Sequence, residues 1–321
     1  MYDLFAIGDI KLDTFVLLDP GSVQLKMPEC LLCFDYGAKV DVKVVDSQVA
    51  GSAPNVATGL ARLGFKTGMV SNMGGDGTRE MALKHLAEEN VSTKFINVTK
   101  GEASSYSVVL MYKGDRTILT SHIQHAYRFP KNLPKSPWLY IGEIGEGYEN
   151  LYRSLEAHAR KFGTKIGLNP GSVQLKELRP HLFDLIRQTE ILFVNKEEAQ
   201  LLAHLTSGEV NHLAPALFKL GCKHVVITDG HNGAFHFDGK TLSFCPIYPG
   251  KKISATGAGD SFATGFMAAL MKGLAPEEGM RWGSVNSASV IGKIGPTEGL
   301  LALEEIRKRL RRMPTFKTQK M

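Results

Sequence analysis

Short runs rich in apolar residues, bounded by turn residues, alternate along the chain with stretches of helical periodicity. The runs are LFAIG at 4–8, TGMVSN at 67–72, WLYIG at 138–142, TKIGLN at 164–169, ILFVN at 191–195 and HVVIT at 224–228. Each is too short for a stable helix and lacks the alternation of a half-exposed strand, which suits strands buried on both faces of a parallel sheet. Helix-like stretches at 55–63, 77–89, 149–162, 196–204 and 211–220 fall between them. The alternation predicts an α/β fold with a doubly wound, mostly parallel sheet. Ligands in such a fold belong at the C-terminal ends of the strands.

Two segments break this rhythm. DVKVVDSQV at 41–49, SSYSVVLMY at 104–112 and RTILTSH at 116–122 read as strands with polar alternation, and Lys113, Gly114 and Asp115 mark a hairpin turn. They predict a small β-sheet built from two insertions, 13–50 and 103–128, standing over a core of 1–12, 51–102 and 129–321. Such a sheet would form a lid able to exclude water from a reacting site; surface hairpins without a gating role are the alternative.

The segment SATGAGDSFATGF, 254–266, carries candidate chemistry. Gly257, Ala258 and Gly259 allow a tight turn whose amides approach a ligand, and a helix N-terminus favours anions. Phe262, Phe266, Ala269 and Leu270 continue at helical spacing, Gly273 suits a C-cap, and Pro276 lies beyond. A carboxylate at Asp260 repels a phosphate unless it removes a proton, which points to a base for phosphoryl transfer. A residue that merely complements the helix dipole would look the same in isolation.

At 321 residues and 43% hydrophobic the chain can bury a large core, which excludes a disordered protein. The net charge of +6 owes much to Arg307, Lys308, Arg309, Arg311, Arg312, Lys317 and Lys320. Ile306 and Leu310 interleave with these cations, so the stretch reads as the solvated face of a terminal helix, with no nucleic-acid or membrane partner implied. Cys30, Cys33, Cys222 and Cys245 are too few and too scattered for a disulfide scaffold, and the CLLC spacing lacks a second pair to complete a zinc site. No apolar run reaches the roughly 18 residues needed to span a bilayer. The expectation is a cytoplasmic, reducing location. The heptapeptide PGSVQLK occurs twice, at 20–26 and 170–176, without a longer repeat around it.

Several separated motifs agree with one another: Asp13 after the first strand, AGSAPNVATGLARLG at 50–64, GGDG at 74–77, NKEE at 195–198, ITDGHNG at 227–233 and SATGAGD at 254–260. In this order they resemble the ribokinase-like carbohydrate kinases of the PfkB family, over nearly the whole chain. The resemblance implies ATP as co-substrate and Asp260 as the base that takes a proton from a substrate hydroxyl, with Gly257, Ala258 and Gly259 cradling the transferred phosphoryl group. It implies that Asn195 and Glu198 organise Mg²⁺ and its waters, although Asn195 also suits a helix cap. Thr228, Gly230 and Gly233 would hold the nucleotide phosphates. Asn286 would lie near the adenine pocket, or simply in a closely packed helix. Asp13, Gly51 and Asn55 would bind the sugar.

The chain also departs from the family's patterns. Where the first signature often reads Gly-Gly-Lys-Gly-x-Asn, the residues are Ala50, Gly51, Ser52, Ala53, Pro54 and Asn55. The missing lysine argues against a sugar-phosphate acceptor and towards a neutral sugar or nucleoside, unless Arg116 arrives from the lid. Ser254 stands where Asp is frequent, which argues against a monovalent cation. The expectation is a Mg²⁺-dependent kinase acting on a hydroxymethyl of a sugar or of a nucleoside's ribose. An adenosine-like nucleoside kinase would need a shelf for the base, for which Phe34, Tyr36 and Tyr106 are candidates. A ligand sensor on the same fold is the reading from another class. A dinucleotide-dependent oxidoreductase fits poorly, because Ile7-Gly8-Asp9-Ile10 lacks GxGxxG. Exposed lid strands suggest a homodimer through the lid.

Overall fold

The computed structural model describes residues 1–21, 23–27, 31–113 and 115–321. In chain order the strands are β1 (Leu4–Ile7), β2 (Lys11–Leu18), β3 (Gln24–Lys26), β4 (Leu31–Cys33), β5 (Val42–Ala50), β6 (Thr67–Gly74), β7 (Ser92–Thr99) and β8 (Ser105–Tyr112). They continue with β9 (Asp115–Ser121), β10 (Trp138–Ile141), β11 (Lys165–Leu168), β12 (Ile191–Asn195), β13 (His224–Thr228), β14 (Ala234–Phe237), β15 (Leu242–Cys245) and β16 (Gln319–Lys320). The helices are α1 (Ser52–Arg62), α2 (Gly77–Glu88), α3 (Glu149–Phe162), α4 (Ser172–Glu177) and α5 (Pro180–Ile186). After them come α6 (Lys196–Ala203), α7 (Val210–Phe218), α8 (Ala258–Met271), α9 (Pro276–Val290) and α10 (Leu303–Arg312).

The main sheet runs β16-β15-β14-β13-β12-β11-β10-β1-β6-β7. Neighbours from β7 to β13 are parallel, and β14, β15 and β16 close that edge antiparallel. Along β1 the side chains split between two cores: Leu4 and Ala6 pack with α1, α8 and α9, while Phe5 and Ile7 pack with α3, α5 and α7. A strand covered on both faces has no polar side, which explains the unbroken apolar runs. The chain leaves β1 towards β6 and β7, then returns to the other side of β1 as β10. The loops after β1 and β10 therefore meet at a reversal of strand order, where such sheets form a crevice.

From that crevice the chain rises directly into β2. A second sheet, β5-β2-β8-β9, joins residues 11–50 to residues 105–121, with β2 and β8 parallel and the outer pairs antiparallel. Val23, just before β3, and Leu32 of its antiparallel partner β4 join a small cluster with Val16, Leu18 and Leu110. Cys30 of the CLLC spacing and Gly114 of the hairpin turn lie outside the described residues; Cys33 is a partly exposed thiol.

The repeated heptapeptide adopts two structures. Residues 24–26 of the first copy form the exposed strand β3, whereas 172–176 of the second lie in α4; Ser22 lies outside the described residues. The difference is burial. Gln174 is fully buried, accepting from the Gly171 amide and donating to the Ile144 carbonyl at 2.8 Å, while Gln24 is exposed. Tertiary context overrides local preference here.

α8 and α9 pack closely. A Cβ on Gly265 would lie 2.6 Å from the backbone of Trp282, and one on Gly283 would lie 2.8 Å from the Phe262 carbonyl. Replacing Gly265 by Ala should overpack this seam and cost about 1–3 kcal/mol. Thermal unfolding should show a Tm lower by several degrees; an unchanged Tm would mean that the helices can separate freely.

Candidate active site

One wall of the crevice starts at Gly8, where a Cβ would lie 2.8 Å from both Ala53 Cβ and the Glu143 carbonyl. This narrow passage brings Asp9, Lys11 and Asp13 beside the loop after β10. Asp9 accepts from the Tyr127 hydroxyl and the Gly145 amide, each at 2.8 Å. Burial nevertheless pushes its pKa up to about 6. Lys11 Nζ donates to Glu143 Oε2 at 3.1 Å. Burial works against both charges, but their attraction wins: the lysine is raised and the glutamate lowered from their ordinary values. Asp13, two residues on and hence on the same strand face as Lys11, is buried with Oδ1 unpartnered. Burial raises its pKa, opposed by Lys11 and by a hydrogen bond from Ser107.

Gly51 is the N-cap of α1 at φ +124°, and a Cβ there would overlap the Asp9 carbonyl, so both conformation and space require glycine. In the first turns of α1, Ser52 shares a 2.7 Å hydrogen bond with the Tyr140 hydroxyl and donates to Asn169 Oδ1 at 3.3 Å. Asn55 Nδ2 donates to Asp260 Oδ2 at 2.8 Å. That bond fixes the amide's orientation and leaves Asn55 Oδ1 buried and unpartnered.

Asp260 lies in the first turn of α8, which opens from Gly257 in the left-handed region at φ +76°. The Gly259 and Asp260 amides point out of this helix N-terminus with no carbonyl four residues back inside the helix. Burial raises the Asp260 pKa, against the hydrogen bonds of Asn55 and Ser52. A base with a raised pKa is a stronger proton acceptor when ionised.

On the donor side, Asn195 caps α6. Its Oδ1 accepts from the Glu198 amide at 2.8 Å, and Glu198 Oε2 accepts from the Asn195 amide at 2.9 Å, a reciprocal capping box. Glu198 is pushed up to about 7 by burial, against the Asn195 amide, with Asp260 among the charges that add to the shift. Thr228 lies directly beside Asn195 in the register of β12 and β13. The turn that follows carries Gly230 at φ +50° and Gly233 at φ +98°, and Lys196 Nζ ties it to α6 through Asp229 Oδ2 at 3.1 Å. Asn286 is apart from this group. It is fully buried on α9, donating to the Ser261 carbonyl at 2.8 Å and accepting from the Leu301 amide at 3.0 Å, so its polar atoms brace α8.

Lys11, Glu143, Ser52 and Asn169 were not singled out by sequence reasoning. The period of two from Asp13 marks Lys11, and the position just after a buried strand marks Glu143 and Asn169. Tyr106 pairs in register with Leu12 and donates to Thr14 Oγ1 at 2.8 Å, so strand alternation puts it on the lid face opposite Asp13. Tyr36 is fully exposed.

With this geometry in place, the comparisons with known proteins converge. The pfkB family carbohydrate kinase model matches residues 24–302, and the chain belongs to that family. It is 26% identical to the cytidine kinase of Thermococcus kodakarensis, covering 92% of this chain and 98% of that one. It is also 26% identical to the 5-dehydro-2-deoxygluconokinase of Clostridium tetani, over 95% and 92% of the two chains. The Arabidopsis thaliana ribokinase solved with ribose and ATP superimposes with a TM-score of 0.78 at 19% identity, over 97% of this chain and 99% of that one. The chain is thus a sugar or nucleoside kinase with the ribokinase-like fold. No helix among the described residues is long and apolar enough to cross a membrane.

Among the described residues no three His, Cys, Asp or Glu side chains cluster as a ready-made metal site. The donor set nevertheless fits Mg²⁺, which takes few protein oxygens and keeps its waters. Glu198 has one oxygen outside its capping bond, and the carboxylates of Asp260, Glu197 and Glu143 add to the upward shift that burial gives it.

The raised carboxylates carry a stability signature. An acid with a raised folded pKa contributes stability that is full below its unfolded value, near 4, and lost as pH rises through the folded value. For Asp9 and Glu198 that window closes at about 6 and about 7. Without ligands, the wild type should therefore lose stability relative to Glu198→Gln, which keeps the cap, as pH rises from about 4 to about 7. A variant that tracks the wild type across this range would show that Glu198 does not titrate there.

Proposed function

We propose that this kinase transfers the γ-phosphoryl group of ATP to a hydroxymethyl of a neutral sugar or of a nucleoside's ribose, with Asp260 as general base. The observation that carries the reading is the 2.8 Å bond from Asn55 to Asp260. It sets the candidate base between the acceptor-binding helix and the amides of the phosphoryl cradle. The acceptor hydroxyl gives its proton to Asp260, its oxygen forms the new bond to the γ-phosphorus, and the bond to the β-phosphate oxygen breaks to release ADP. The amides of the Gly257-Ala258-Gly259 turn and of Asp260 stabilise the charge on the phosphoryl oxygens. Glu198, with Asn195 holding its helix, would hold Mg²⁺ through water, and the ion would neutralise charge on the phosphates. Thr228, Gly230 and Gly233 would receive the nucleotide phosphates.

The acceptor's neutrality follows from charge. Lys11 is the ammonium that acts on Asp13, Glu143 and Asp260, and Glu143 already engages it. A phosphorylated acceptor would enter against net negative charge. The unpartnered acceptors Asp13 Oδ1 and Asn55 Oδ1 instead ask for donors, and a polyol supplies them. The similarity to a cytidine kinase keeps nucleosides beside free sugars as acceptors.

The lid's edge strands expose Val42 and Val44 on β5 and Ile118 and Leu119 on β9. Apolar edge strands of this kind suit pairing with a second copy of the lid. Sedimentation at working concentration should give a dimer; a monomer rejects that pairing.

Coupled ADP release from Mg-ATP should be selective within a panel of neutral sugars, sugar phosphates and nucleosides. Asp260→Asn should lower kcat by about 10²–10⁴ while nucleotide binding survives. Undiminished turnover in that variant would remove Asp260 as the base.

A further inference from the structure

Gln48 of β5 stands directly opposite Asp13 of β2 in the lid sheet and is buried. Its Nε2 is shared between two parts of the molecule. One bond goes to Asp46 Oδ2 within the lid at 2.8 Å, the other to the Ile294 carbonyl at 3.4 Å, in the turn after α9. Its Oε1 has no partner and lies against Gly295, where a Cβ would overlap the carboxamide. Gly295 adopts φ +101°, so this position requires glycine for its backbone as well as for Gln48.

The next residue reaches the phosphoryl cradle. Pro296 packs on Gly257 so closely that a Cβ on Gly257 would lie 2.7 Å from Pro296 Cα. Beyond Pro296, Arg62 Nη1 of α1 holds the Thr297 carbonyl at 2.7 Å. The turn from 294 to 297 is therefore pinned at one end by the acceptor helix and at the other by the lid, and its middle supports the left-handed residue that aims the cradle amides.

We infer that Gln48 is a positioning residue that couples the lid to the phosphoryl cradle. It holds the 294–296 turn against Gly257 when the lid strand carrying its neighbour Asp13 is seated over the acceptor. Gln48 touches neither reacting group; it acts through the turn. The inference rests on the reading of Asp13 as an acceptor contact and of Gly257 to Asp260 as the phosphoryl cradle. Its specific claim is that breaking one amide in the lid misaligns the donor phosphate and leaves the acceptor's grip intact.

Gln48→Met fills the same space without a donor. It should lower kcat by about tenfold or more, as expected for a small misplacement of reacting groups, while the acceptor KM changes little. An unchanged kcat, or a loss confined to the acceptor KM, overturns the coupling. A double-mutant cycle supplies a second route. Gly295→Ala strains the left-handed backbone and also displaces the Gln48 amide, so it should slow turnover, and adding Gln48→Ala should not multiply the loss. Multiplicative losses overturn the inference. Should the wild-type chain turn over no acceptor, the reading of the site fails first. Hydrogen exchange then decides the coupling separately: the Lys293 and Leu300 amides, hydrogen-bonded at the two ends of the turn, should exchange faster in Gln48→Met, and equal rates overturn it.

Discussion

Two helix N-termini held side by side set the geometry on which everything else depends. α1 presents Asn55 and Gly59 four residues apart, and α8 presents Asp260 and Thr264 with the same spacing, so each pair forms a single ridge. A Cβ on Gly59 would lie 2.6 Å from Thr264 Cγ2, and Thr264 donates back to the Asp260 carbonyl at 2.8 Å. Only because Gly59 lets the ridges approach can Asn55 reach the Asp260 carboxylate. A bulkier residue at Gly59 would push α1 and α8 apart and break that bond without touching either of its partners. The positive φ at Gly51 and Gly257 then turns the entering chain away, leaving both helix ends open to a ligand.

The same crowding concentrates negative charge. Asp9, Asp13, Glu198 and Asp260 all have raised pKa values, with burial as the first cause in each. Glu143 escapes because Lys11 is beside it. The folded chain thus holds a region that is costly while empty and favourable once cations and hydrogen-bond donors arrive. Part of its stability is exchanged for a region ready to receive cations and hydrogen-bond donors.

The sheet was legible because burial on both faces removes polar residues from β1, β10 and β12, and apolar runs survive any uncertainty about neighbours. The helix after Gly257 was legible because its cap and its periodicity are local. The Lys11–Glu143 pair spans 132 residues, and neither partner belongs to a local motif that names the other. Asn286 illustrates the reverse limit. Small residues at helical spacing fit a pocket wall and a tight seam equally, and the periodicity carries no sign of the bonds that Asn286 makes to the Ser261 carbonyl and the Leu301 amide. The heptapeptide shows the limit most directly, since identical residues become strand β3 in one place and helix α4 in another, according to whether glutamine is buried.

The lid is continuous with the crevice it covers. β1 passes through Gly8 and Asp9 straight into β2, so Lys11 and Asp13 are anchored at one end in the most buried part of the sheet and at the other in the small sheet. Any tilt of the lid must bend the chain between Ile7 and Lys11, where the Asp9 amide donates to the Glu143 carbonyl at 2.9 Å and the Asp9 carboxylate is held by Tyr127 and Gly145. The crevice end of β2 is therefore held by the main sheet, whereas β3 and β4 at the far end are mostly exposed. Lys11 and Asp13 keep their place through Asp9 and its bonds to Tyr127 and Gly145, independently of that exposed edge.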